Sequence, residues 1–137
     1  MKLSRRMALG LTQNVAFTAS DAEDGRLRGR TYAIPFEDVW QAARHVIMQE
    51  LQRWTLQSED DQEGTLRAEA RGRVRKLTSG IIVHIVLDRD AQTRVDAMSA
   101  LREGRADLGV NARRLARFFR LLDRRLDAMR RASRTDA

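Results

Sequence analysis

Cysteine is absent from the sequence, and this absence excludes several kinds of chemistry. The chain can form no disulfide bond, and it has no thiolate to serve as a nucleophile or as a metal ligand. Histidine is scarce too, because only His45 and His84 are present. Neither has carboxylates at the spacing of a metal site or of a Ser-His-Asp arrangement. We therefore predict no catalytic residue, no metal site and no cofactor.

Long apolar runs are also missing. No segment has the roughly 18 consecutive apolar residues of a transmembrane helix, so we expect no integral membrane segment. The chain begins with a basic stretch like that of a signal peptide, but Gln13 and Asn14 interrupt the apolar residues that follow. We expect residues 1–24 to form an N-terminal arm of a cytoplasmic protein; export or membrane association through residues 1–20 is the alternative.

Lysine is scarce as well, and the positive charge of the chain comes from arginine. Lys2 and Lys76 are the only lysines among 26 basic residues, which outnumber the 19 acidic residues and leave a net charge of +7. A positive field of this kind favours anionic partners such as nucleic acid, anionic lipid or an acidic protein. A high GC content of the gene would also enrich arginine, so the charge by itself assigns no partner.

The length of 137 residues suits a single domain, which we place at residues 25–132 with a short tail at 133–137. The spacing of apolar residues predicts the element order β-α-β-β-β-β-α. Pro35 stands where the first helix should begin, since a proline in the first turn loses no hydrogen bond. We interpret residues 72–80 as a loop or a distorted edge and the acidic run 59–63 as a hairpin turn. The predicted strands lie at about 26–34, 54–58, 66–70, 81–87 and 94–101, and the predicted helices at 36–51 and 107–131.

The connections between the last four predicted strands have hairpin length, which implies antiparallel pairing. We therefore predict an α+β fold, an antiparallel sheet of about five strands with two helices on one face. The last helix has the clearest pattern, with Leu115, Phe119 and Leu122 on the stripe that should cover the sheet. Trp40 and Trp54 are interpreted as core residues rather than as platforms for stacked bases. The polar face of the last helix should expose a basic surface of Arg117, Arg120, Arg124, Arg125, Arg130 and Arg131.

The junction between the last strand and the last helix contains the candidate binding residues. Asp107, Asn111 and Arg114 are spaced four and three apart, so they share one face of the predicted helix. Asp107 is also the expected N-cap, and Arg102 on the loop is expected to pair with it. Two glycines permit close approach of the backbone to another group. The candidate binding residues are Arg102, Gly104, Asp107, Gly109, Asn111 and Arg114.

This junction resembles the signature of DUF1499, an uncharacterised domain family of bacteria and plastids. The signature runs approximately S-x-S-R-x-G-x-x-D-L-G-x-N-x-x-R, and Leu101 replaces its second serine here. The resemblance extends over about residues 26–131 and implies a fold but no established activity. The chain lacks the paired aspartate that often precedes the strand at 81–87, and it lacks the family's cysteine-containing N-terminal motif. The matching positions are Ser99, Arg102, Gly104, Asp107, Leu108, Gly109, Asn111 and Arg114.

Two interpretations of the junction are open. A helix cap, a loop clamp and a charge ladder would explain its residues structurally, whereas an anion or polar-ligand site would use the helix N-terminus. We expect a non-enzymatic binding or accessory domain that engages an anionic or protein partner through the junction and the basic helix. The alternatives are a basic module that binds nucleic acid or an anionic membrane surface, and a small-molecule carrier with a pocket between sheet and helices.

Overall fold

The computed structural model describes residues 15–17, 29–72, 77–102 and 109–135, which form one sheet and two helices. Helix α1 (Phe36–His45) continues into a π-helical turn (Val46–Glu50), and helix α2 (Val110–Thr135) follows the last strand. The strands are β1 (Val15–Phe17), β2 (Arg30–Tyr32), β3 (Trp54–Asp60), β4 (Thr65–Ala70), β5 (Ser79–Leu87) and β6 (Thr93–Leu101).

All strand pairs in the sheet are antiparallel, and β3, β4, β5 and β6 lie side by side in chain order. Both short strands pair with the outer edge of β6: β1 lies opposite residues 98–100 and β2 opposite residues 93–95. The sheet therefore has five positions, the last of which is shared by β1 and β2. This confirms the predicted α+β class with about five strands. Strand β1 is an addition to the prediction, because three residues are too few to show an alternating pattern.

Helix α1 follows from local signals in the sequence. Its first turn is anchored at Pro35, whose carbonyl accepts a hydrogen bond from the Asp38 amide at 3.1 Å. The Asp38 carboxylate also places negative charge at the positive end of the helix dipole. The structure confirms a helix over residues 36–50, but its last turn is π-helical. There the Leu51 amide donates to the Val46 carbonyl, five residues earlier, at 3.0 Å.

Strand β5 is longer at its start than the sequence predicts. It begins at Ser79, which lies opposite Leu101 of β6. The interpretation of residues 72–80 as a loop is therefore wrong for Ser79 and Gly80. Glycine is a weak strand former, but pairing with the neighbouring strand decides the local structure here.

The core lies between one face of the sheet and both helices. Leu115, Phe119 and Leu122 of α2 are fully buried, as their helical spacing predicts. Helix α1 contributes Val39 and Ala43 to the same cluster. Side chains alternate along a strand, so the buried strand residues share one face of the sheet. This confirms the prediction that the two helices cover one face. The buried strand residues are Leu66, Ala68 and Ala70 of β4, Ile81, Val83 and Ile85 of β5, and Val95 and Ala97 of β6.

The β3–β4 hairpin turn is stabilised by its own polar groups. One carboxylate oxygen of Asp60 accepts hydrogen bonds from the Gln62 and Glu63 amides, each at 3.1 Å. The acidic run therefore forms a turn from residue 61 onward as predicted, whereas Glu59 and Asp60 still belong to β3. Gly64 ends the turn with a φ of 73°, a left-handed conformation that suits glycine. Its carbonyl accepts a hydrogen bond from the Ile85 amide at 2.7 Å, and a side chain at Gly64 would collide with the Ile85 carbonyl.

Strand β2 is attached to helix α2 by a polar clamp. The Tyr32 hydroxyl donates a hydrogen bond to the Asp123 carboxylate at 2.6 Å. The Arg30 guanidinium has its Nε 3.6 Å from the same carboxylate, and its Cζ lies 5.2 Å from the centre of the Phe119 ring. The second distance is within the range of a cation–π interaction. Asp123, which interrupts the arginine face of α2 in the sequence, therefore joins the helix to the edge of the sheet.

Tyr32 is the only tyrosine in the chain, so its ionisation can be followed directly. Burial raises the pKa of Tyr32 above its ordinary value of about 10, and the hydrogen bond to Asp123 and the charge of Asp123 raise it further. A raised folded-state pKa contributes stability that is fully present below pH of about 10 and is lost at higher pH. In an alkaline titration, we expect tyrosinate absorbance to appear together with the loss of the circular dichroism signal. Asp123→Asn should lower the pKa, whereas ionisation of the folded wild type near pH of about 10 would contradict the expectation.

Candidate functional site

A cluster of polar side chains is buried between the sheet and the first turns of α2. Ser79, Ser99 and Asn111 are each fully buried. Asn111 Oδ1 accepts hydrogen bonds from the Ser79 hydroxyl at 2.7 Å and from the Ser99 hydroxyl at 2.5 Å. The Ser79 hydroxyl in turn accepts a hydrogen bond from Arg114 Nη1 at 2.6 Å. We call these four residues the polar cluster.

The fold brings the polar cluster together from three elements. Ser79 opens β5 and Ser99 lies near the end of β6, and the antiparallel register places both on the face that the helices cover. Asn111 and Arg114 are three residues apart on α2, so they lie on the same side of the helix. Gly109 directly precedes α2 with a φ of 84°, which glycine adopts without strain. The polar cluster thus ties the start of α2 to the two central strands.

Arg102 lies on the opposite face of the sheet from the polar cluster. Its Nε is 3.2 Å from a carboxylate oxygen of Glu69 on β4, and its guanidinium lies close to Gly80. Glu69 and Gly80 are directly paired across β4 and β5, so they share the face that the helices leave uncovered. The partner predicted for Arg102, Asp107, lies outside the described residues, and the contact that the structure shows for Arg102 is the one with Glu69. Strand alternation carries the side chain of Arg102 away from the helix side.

The start of α2 also differs from the prediction. The helix begins at Val110 instead of at position 107, because the left-handed conformation of Gly109 cannot be continued as a helix. The residue directly before the helix is Gly109, whereas the predicted N-cap, Asp107, lies outside the described residues. Of the predicted binding residues, the polar cluster includes Asn111 and Arg114. Outside the described residues lie Gly104 and Asp107.

Beside the polar cluster, four arginines line an open groove of about 270 Å³. Arg53 follows the π-helical turn, Arg71 follows β4, and Arg114 and Arg117 belong to α2. The Arg71 amide donates to the Arg53 carbonyl at 2.9 Å, which fixes these two chain segments side by side. We call the four arginines and the space between them the arginine groove.

The arginine groove has positive charge, and none of its described lining residues is acidic. Within the part of the chain that the structure describes, Arg53, Arg71 and Arg117 have no ion-pair partner. A guanidinium is ionised at every physiological pH, and a cleft lined by charges of one sign concentrates ions of the opposite sign. The remaining lining residues are Leu51, Gln52, Trp54 and Gly72.

Arg114 belongs to both the polar cluster and the arginine groove. Its Nη1 donates to Ser79 in the interior, while its Nη2 lies against Gly72 in the groove lining. A side chain at position 72 would crowd both Arg114 Nη2 and the Cβ of Leu77. Glycine at this position therefore leaves room for the guanidinium beside the groove.

Trp54 forms an aromatic wall of the arginine groove. Its ring is nearly parallel to that of Phe118, with an angle of 11° and 6.0 Å between the ring centres. Trp54 is half-buried and lies at the border between core and groove. Trp40, with an exposed fraction of 3%, is a core residue as predicted.

A family model matches most of the chain. A family model described as a protein of unknown function, DUF1499, matches residues 8–122. The chain belongs to the DUF1499 family. The match starts before β1 and includes the whole sheet, the polar cluster and the arginine groove, so both features lie within the DUF1499 domain. A comparison with curated proteins found no match.

Helix α2 of this DUF1499 domain exposes most of the predicted basic surface. Arg125 is the exception, because it is half-buried and its Nε is buried without a hydrogen-bond partner among the described residues. It lines a second surface groove of about 330 Å³ between α1 and α2, together with His45 and Met48. The exposed members of the predicted basic surface are Arg117, Arg120, Arg124, Arg130 and Arg131.

Sequence reasoning did not single out Ser79 of the polar cluster or Arg53 and Arg71 of the arginine groove. A signal for Ser79 was present: it stands two residues before Ile81, so strand alternation places it on the apolar side. Arg53 and Arg71 had no comparable signal. They approach each other because Trp54 pairs with Ala70 across β3 and β4, and one sequence does not show that register.

Neither a membrane-spanning helix nor a metal-binding cluster occurs among the described residues of the DUF1499 chain. None of the helices there combines the length and the apolar character that crossing a bilayer requires. In the same residues, no three His, Asp or Glu side chains gather where they could hold a metal ion. His45 Nε2 lies 3.8 Å from Glu50 Oε2, and His84 is exposed on the uncovered face of the sheet. The two histidines are therefore on different sides of the molecule.

Proposed function

We propose that this DUF1499 chain is a non-enzymatic binding domain whose arginine groove takes a phosphate group of an anionic partner. The observation that carries the proposal is the convergence of four arginines on one groove, whose lining contains no acidic side chain among the residues that the structure describes. Guanidinium groups donate parallel hydrogen bonds to phosphate oxygens, and such charge-assisted bonds are stronger than neutral ones. The chemistry that suits this groove is therefore anion binding.

The size of the groove indicates what part of a ligand would enter it. A volume of about 270 Å³ is at the lower end of the range for small-molecule pockets. It has room for a phosphate group and the atoms next to it, and a larger partner would present only that group. Four cations also exceed what a single carboxylate needs, which favours a ligand with two or more negative charges.

Calorimetric titration of the full chain with inorganic phosphate and with pyrophosphate tests the proposal. We expect saturable binding that is tighter for pyrophosphate and weaker at high salt, because added ions screen the arginines. The double variant Arg71→Glu/Arg117→Glu should weaken binding about 100-fold, since a hydrogen bond to a charged group contributes about 1.5–3 kcal/mol. Both residues are exposed, so the fold should persist.

A matched control separates the groove from the overall charge. Arg124→Glu/Arg130→Glu changes the net charge by the same amount, and both side chains are exposed on α2, the helix that also carries Arg117. At the rise of an α-helix, Arg124 lies about 10 Å beyond Arg117, so this control should weaken binding by less than about threefold. Equal losses in the two double variants would refute a groove-specific site and favour the basic module for nucleic acid or membrane surfaces. Absence of binding to the wild type would refute the proposal outright.

A further inference from the structure

One of the two buried serines, Ser79, contacts an arginine that lines the arginine groove. We infer that Ser79 is a positioning residue for the phosphate site: its hydroxyl fixes the Arg114 guanidinium at the groove before a ligand arrives. This inference rests on the proposed function. Ser79 itself is fully buried and does not line the groove, so it would act only through Arg114.

The direction of the hydrogen bonds supports this role. A serine hydroxyl has one proton and two lone pairs. The proton of Ser79 is used on Asn111 Oδ1, which also receives the proton of Ser99. The lone pairs of Ser79 are then left for a donor, and Arg114 Nη1 occupies that place at 2.6 Å. The Ser79 hydroxyl oxygen is therefore the acceptor that the polar cluster offers, and it aligns the Arg114 guanidinium.

Arg114 differs in this respect from the other arginines of the groove. Among the described residues, the side chains of Arg53, Arg71 and Arg117 have no hydrogen-bond or ion-pair partner, and these arginines are exposed. A long side chain loses rotamer freedom when a ligand orders it, and an arginine that is already fixed avoids most of that loss. One prepositioned cation among three exposed arginines without such a partner in the described structure would thus define where the phosphate binds first.

The two serines provide a matched pair of variants. Ser79→Ala and Ser99→Ala each remove a fully buried hydroxyl that donates to Asn111, but of these two only Ser79 accepts from Arg114. In calorimetric titrations with pyrophosphate, we expect Ser79→Ala to weaken binding about tenfold, because Arg114 Nη1 loses the acceptor that aligns it. Ser99→Ala should change the affinity by less than about twofold, although both variants lose stability.

A double-mutant cycle shows whether Ser79 acts through Arg114. In an Arg114→Gln background, Ser79→Ala should have no further effect on pyrophosphate affinity, since the guanidinium that it positions is gone. Additive losses would overturn the inference, and so would equal losses in the two serine variants. If the wild type binds pyrophosphate and Ser79→Ala binds it equally well, the inference fails while the proposed function stands. If the wild type does not bind, both fail.

Side-chain NMR relaxation gives a test that does not depend on the variants folding. In the ligand-free wild type, the Arg114 Nε–H group should have a higher order parameter than those of Arg71 and Arg117. An Arg114 side chain as mobile as these two would overturn the inference.

Discussion

Replacing Asn111 by alanine is expected to lower the free energy of unfolding by about 2–4 kcal/mol. Asn111 Oδ1 is the acceptor for both Ser79 and Ser99, and all three residues are fully buried. Without it, two hydroxyl protons lose their partner in the interior, and each unsatisfied group costs about 1–3 kcal/mol. Urea denaturation, monitored by circular dichroism, measures the loss of stability. An unchanged dependence of the unfolding free energy on urea concentration would show that the unfolded state is the same.

The paired variant distinguishes hydrogen bonding from loss of volume. In Ser99→Ala/Asn111→Ala, donor and acceptor are removed together, so the loss should be smaller than the sum of the two single losses. If Asn111→Ala alone lowers the free energy of unfolding by about 0.5 kcal/mol or less, the polar cluster does not stabilise the start of α2.

Replacing Phe119 by alanine should destabilise the fold by about 3–5 kcal/mol, the range for a fully buried aromatic residue. Phe119 is fully buried, and its ring meets that of Phe118 edge to face, with 5.2 Å between the ring centres. The variant would also take away the ring beneath the Arg30 guanidinium, which helps to attach β2 to α2. Thermal and urea unfolding of the purified protein would report the loss.

Phe36 offers a control of the same residue type at the border of the core. It is half-buried and stacks on Trp40 with 5.7 Å between the ring centres. Phe36→Ala should therefore cost less than half of what Phe119→Ala costs, because less apolar surface is returned to water. Similar losses at the two positions would contradict the assignment of Phe119 to the centre of the core.

The architecture could be predicted because its main signals are local. The spacing of Leu115, Phe119 and Leu122 defines one side of a helix whatever the rest of the chain does, and residues 81–87 are strongly β-prone. Strand β1 shows the limit of this reasoning. It is a strand because β6 offers an unpaired edge, and a three-residue segment does not display that cause in its own sequence.

The site could be predicted only in part, for a related reason. Asn111 and Arg114 share a helix side by their spacing alone, so their proximity follows from the sequence. The face of the sheet on which Arg102 lies depends on which residues of β6 point toward the helices. Arg102 lies on the other face, where it contacts Glu69. The meeting of Arg53 and Arg71 depends on which residues of β3 and β4 lie opposite each other. Both placements are decided by the register between distant strands, and the periodicity of one helix or strand does not reveal that register.

The division of the outer edge between two short strands affects how the domain would respond to tension. The chain joins β6 twice, first through Val15–Phe17 and then through Arg30–Tyr32. A pull on the N-terminus would reach β1 first, and only three residues there pair with β6. Strand β2 would resist longer, since Tyr32 is bound to Asp123 on the helix. Force from that end could therefore peel away one strand and leave the core, the polar cluster and the arginine groove in place.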